Sequence, residues 1–98
     1  MTEDTIIRLF AEDKGRLDSI GEDYSPEFFG GTIPAVGDVI SAPGVFQGDD
    51  RMDPRSYTFH EVTKRYFIVQ SFKPGLSLVG LVVKSRRGEE SERYLLGL

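Results

Sequence analysis

The chain has 98 residues, 29% of them charged and 39% hydrophobic, with a formal net charge of −4. That length suits one domain over residues 1–98 with a thin core, burying roughly 60–70% of the surface that the unfolded chain exposes. With no cysteine and one histidine, the chain offers neither a disulfide framework nor a thiolate metal site, and it suits a reducing cytoplasm.

The opening "MTEDTIIRLF" lacks a basic region ahead of an apolar core and does not read as a secretory signal. No run approaches the roughly 18 apolar residues of a membrane span, so no membrane partner is expected. "TIIRLFAEDKGRLDSI" reads as a β-hairpin. Residues 5–12 are rich in β-branched and aromatic types, "DKG" supplies the turn and "RLDSI" returns. A helix over 5–17 competes through a stripe of Ile6, Ile7, Phe10 and Leu17, but Gly15 and the β-branched start oppose it.

In "GEDYSPEFFGG", Ser25 can cap a single helical turn with Pro26 at its first position and Glu27 in its first turn, and Gly30-Gly31 stop it. Phe28 and Phe29 would tuck that turn onto the sheet as a plug. In "IPAVGDVI", Pro34 holds Ile33 extended. Gly37-Asp38 form a tight turn in which the carboxylate accepts from a nearby backbone N–H. This corner aims Val39 and Ile40 into a strand, and a metal or acid–base role for Asp38 is the lesser reading.

"SAPGVFQGDDRMDPRS" is a long loop with two prolines, two glycines and three aspartates. Asp49, Asp50 and Asp53 invite a calcium reading, but their spacing lacks the alternating oxygens and closing glutamate of an EF-hand, so no metal is expected. "YTFHEVTKRYFIVQSF" is the strongest strand signal. Tyr57 and Phe59 share one phase, Val62, Tyr66 and Ile68 the other, and Phe67 and Val69 return to the first. A β-bulge within residues 60–64 reconciles the phases; a hairpin at "TKR" lacks turn residues. "KPG" is a turn. "LSLVGLVVK" is apolar on both faces and reads as a central buried strand, with Gly80 marking a bend or a close approach. "SRRGEE" reads as a polar turn, and "SERYLLGL" as a last strand.

Together these elements predict an all-β domain, a small bent sheet or SH3-like barrel of about five to six mostly antiparallel strands with one short helical turn. The SH3-like corner is an architectural analogy and does not give function.

Catalytic chemistry finds little support. A nucleophile–His–acid triad would have to use His60, inside a strand beside Glu61, where a histidine is usually a surface or satisfied residue. One histidine cannot build a zinc site without several carboxylates, and "FFGGTIP" is no phosphate loop. No enzyme activity and no cofactor are expected.

Charge is unevenly spread. Residues 1–53 hold twelve acids against four bases, a balance of −8, and residues 54–98 hold eight bases against four acids, a balance of +4. Tyr57, Phe59, Tyr66, Phe67 and Phe72 lie near Arg55, Lys64, Arg65 and Lys73, a mixture able to stack bases and hold phosphates. A small tryptophan-free chain needs those aromatics for its core, and overall acidity opposes general nucleic-acid binding. The expectation is therefore a non-catalytic protein-interaction or accessory module with a protein partner, contacting it through a sheet edge or the 41–56 loop. The alternatives are a nucleic-acid binder using Arg65, Arg86 and Arg87, or an acidic phage-type inhibitor that mimics nucleic-acid charge. Asp49, Asp50, Asp53, Arg65, Arg86 and Arg87 are the candidate partner-binding residues.

Overall fold

The computed structural model describes residues 4–41, 45, 47–69 and 74–96. Phe72, Lys73, part of the 41–56 loop and the last two residues of "SERYLLGL" lie outside the described residues. Five strands, β1 (Asp4–Asp13), β2 (Arg16–Tyr24), β3 (Val39–Ile40), β4 (Thr58–Ile68) and β5 (Leu76–Arg87), form one open sheet in the order β2-β1-β5-β4-β3. The sheet does not close into a barrel, so of the two expected forms the open one is found.

The expected hairpin is β1–β2, joined at Lys14-Gly15 with φ of 52° and 79°. Two successive left-handed residues match the twist of the flanking strands. All neighbours are antiparallel except β1 and β5, which run parallel with Ile7 beside Val79 and Leu9 beside Leu81. β5 sits between β1 and β4, and residues 78–83 are all buried, as two apolar faces require.

β4 is one long strand whose register shifts between Val62 and Lys64, within the predicted bulge window. The Thr63 hydroxyl fills the irregularity by donating to the Val82 carbonyl at 3.1 Å. Before the shift, Val62 and His60 share the core face; after it, Lys64, Tyr66 and Ile68 take the opposite face, and Arg65 and Phe67 the core side.

The core lies on one face, from Ile7, Leu9, Tyr24, Val62, Val79, Leu81 and Val83, with Ile20, Phe29, Ile33 and Ile40 packed against it. The predicted plug is the 3₁₀ turn Pro26–Phe29, ended by left-handed Gly30; the Ser25 side chain makes no cap hydrogen bond. Its rings cluster with Tyr24, at centroid separations of 4.7 Å to Phe28 and 5.7 Å to Phe29. Phe29 reaches the core, while Phe28 remains exposed.

The 35–38 corner forms as expected. Asp38 Oδ2 accepts from Ala35 N at 2.8 Å, and Gly37 has φ of 97°. Gly37 N donates to Val62 O and Val62 N to Asp38 O, both at 2.9 Å, so the turn extends the short β3 pairing by one residue of β4.

Two expectations fail at the C-terminal end. β5 continues through Ser85, Arg86 and Arg87, where a turn was expected. The expected last strand is instead a 3₁₀ turn, Glu90–Glu92, leading into a short helix α1, Arg93–Leu96. The cause is local. Glu89 and Glu92 form a reciprocal capping box, with Glu89 N donating to Glu92 Oε1 at 2.7 Å. The Arg93–Glu90 ion pair closes the same turn at 2.7 Å. A further 3₁₀ turn, Pro54–Ser56, precedes β4, so helical turns exceed the single one expected.

Candidate functional site

The six candidate residues fall into separate environments. Asp50 and Asp53 are turn formers, accepting from Met52 N at 2.9 Å and Arg55 N at 3.0 Å. The hydrogen-bonded Arg55 guanidinium also lowers the Asp53 carboxyl below its ordinary range. Asp49 is exposed beside them. Among the described residues, no group of three or more His, Asp or Glu side chains is arranged to hold a metal.

Arg86 forms a bidentate pair with Glu92 at 2.8 and 2.7 Å and lies over the Phe59 ring, 5.4 Å from its centroid. Its charge is thus largely met within the chain. Arg87 donates to Arg55 O at 3.0 Å and Arg93 to Met52 O at 3.2 Å. These bonds tie the end of β5, the C-terminal turn and the 51–55 segment together. Arg65 stands elsewhere: Arg86 is level with Phe59, six positions back along β4 or about 20 Å at strand spacing. It donates to Pro34 O at 3.4 Å and covers the Phe67 ring at 4.9 Å. Strand alternation sends Arg86 to the face opposite Arg65, so the three arginines do not make one basic patch.

His60 is buried, and its Nδ1 lies 2.7 Å from Ser85 Oγ, its cross-strand neighbour. This is the satisfied histidine that the sequence suggests.

The strand-system aromatics divide. Phe59 is buried and stacked with Tyr57 at 6.0 Å. Tyr66 and Phe67 are 46% and 57% exposed, and Ile68 and Val69 are 47% and 68% exposed, so the core reading fails for this second group. β3 is two residues long and pairs with β4 only at His60 and Glu61. Among the described residues, no strand pairs with the outer edge of residues 63–68. A run that is apolar on both faces therefore stands at a bare sheet edge, where N–H and C=O groups can template another strand. On the face away from the core, Phe10, Leu17, Tyr66, Ile68, Leu78 and Gly80 line an apolar hollow of about 180 Å³ that adjoins this edge.

The edge could not be anticipated from the strand signal. Four consecutive apolar residues read as a buried strand, and only the brevity of β3 shows that no strand among the described residues lies beside them. No protein family, curated protein or solved structure matches the chain.

Proposed function

We propose that the protein is a non-catalytic protein-interaction module working in the cytoplasm. Its contact surface is the 63–68 edge of β4, which accepts an extended apolar segment as an added strand. The observation that carries this reading is the exposure of Tyr66, Phe67, Ile68 and Val69 beside a strand edge that no strand among the described residues pairs with. Main-chain hydrogen bonds would supply affinity, and side chains seated along Tyr66 and Ile68 would supply selectivity.

Uncharged six-residue peptides alternating valine and threonine serve as probes. They should bind and slow amide exchange at residues 64–68, and Phe67→Asp should abolish both effects. Peptides that bind without protecting this edge, or no binding at millimolar peptide to protein dilute enough to be monomeric, would overturn the reading.

Nucleic-acid binding draws support only from the stacked Arg65–Phe67 pair, because Arg86 is engaged by Glu92. If it operates, oligonucleotide affinity must fall steeply with salt. Absence of binding at about 50 mM salt removes it. The acidic-inhibitor alternative would need a run of free carboxylates, and Asp50 and Asp53 spend theirs on local turns.

A further inference from the structure

Resting on this reading of the β4 edge, we infer that its occupant is the same edge of a second copy of the chain. The two β4 strands run antiparallel about a twofold axis at Phe67 and join two five-stranded sheets into one.

The inference comes from what this edge can match. In an antiparallel pair centred on Phe67, Tyr66 lies opposite Ile68 of the second copy and Phe67 opposite itself, while Arg65 lies opposite Val69. Aromatic against β-branched is a favourable cross-strand pair. Registers centred on Lys64 or Arg65 would set like charges against each other, which charge rules out, and the Tyr66–Ile68 pair forms only at the Phe67 centre. That centre sets Arg65 opposite apolar Val69, just past the end of the strand, where its stem can pack.

The other free edge of the sheet offers no such match. β2 presents Asp18, Ser19, Glu22 and Asp23, is exposed nearly throughout and is kinked where its register with β1 shifts. Charges and bulges of this kind protect an edge. A β4–β4 contact is isologous and closes at two copies, whereas a β4–β2 contact would propagate into a filament.

Sedimentation equilibrium of the full chain tests this. The mass should double with rising concentration and change little between low and high salt. Phe67→Lys and Phe67→Glu should each sediment as a monomer, because each puts like charges face to face at the axis. Mixing the two variants should restore the dimer. Phe67 is exposed, so both should keep the unfolding midpoint that the wild type shows when dilute enough to be monomeric; amide exchange at residues 64–68 supplies an independent readout, slowing with concentration in the wild type alone.

A wild type that stays monomeric would overturn the inference, as would a dimer surviving in both single variants or assembly beyond two copies. A monomeric wild type that still takes up the valine–threonine peptides at this edge would sink the homodimer and leave the interaction-module reading intact.

Discussion

The two halves of β4 belong to one strand and share one neighbour, β5, yet they lead different lives. Over residues 58–62, the strand has β3 and the 35–38 corner on its outer side, and Phe59, His60 and Val62 are buried. Past the bulge, residues 63–68 keep the β5 pairing and are exposed throughout. Apolar character is comparable in the two halves, so hydrophobicity alone does not decide burial. The decisive quantity is the length of the neighbour, because two residues of β3 cover only two positions of β4. Stability should therefore concentrate in the first half and association in the second.

The strongest way to break this contrast is at Gly88, which follows β5 and packs beneath the covered half. A Cβ there would collide with Pro54 O and lie only 2.9 Å from Phe59 Cε2. Backbone cannot yield as a flexible side chain can, so Gly88→Ala should cost about 3 kcal/mol or more. Val62→Ala, which empties a site 1% exposed in the core, should cost about 2 kcal/mol. Phe67→Ala in the bare half should change stability by less than about 0.5 kcal/mol while weakening association. Urea denaturation of the three variants would measure this order. A Phe67→Ala cost equal to that of Val62→Ala would mean that the second half is buried too.

The corner that covers Val62 sharpens the same contrast. Gly37→Val must hold a β-branched residue at φ of 97° and should cost on the order of 1–3 kcal/mol. Asp38→Asn should cost less, because its amide oxygen can still accept from Ala35 N. Both variants should keep edge-mediated association when compared well below their unfolding midpoints. Loss of association in Asp38→Asn at unchanged stability would make the corner part of the contact surface.

How much of this was legible in the sequence follows from the range of the interactions. The hairpin at Lys14-Gly15, the Gly37-Asp38 corner and the bulge before Lys64 were all readable, because turn chemistry and side-chain phase act within a few residues. The parallel β1–β5 pairing was not, since it depends on where the chain returns after some sixty residues. The C-terminal element was misread for a different reason. Tyr94, Leu95 and Leu96 suggest a strand by residue type, but Glu89, Glu92 and Arg86 set a cap that turns the backbone helical. The candidate arginines met the same difficulty: Arg65, Arg86 and Arg87 look like one cationic group until the register separates them.

That capped turn provides the smallest effect. Glu92 is held by Arg86 and by Glu89 N, which together lower its carboxyl from 4.5 to about 2. A group whose folded pKa is depressed contributes stability above its unfolded value and loses it as pH falls through the folded one. The C-terminal turn should therefore be fully held above pH of about 4.5 and released progressively as pH falls toward about 2. Glu92→Gln keeps a side-chain oxygen for the Glu89 N–H but gives up the bidentate ion pair. It should flatten the part of the acid-unfolding profile between those values and lower stability at neutral pH by the same small amount that acid removes from the wild type. Amide exchange at residues 89–93 should quicken in the variant at neutral pH while Val62 and Leu81 stay protected. If acid released the covered half of β4 together with the C-terminal turn, the two regions would be one cooperative unit, and the division of stability along β4 would have to be withdrawn.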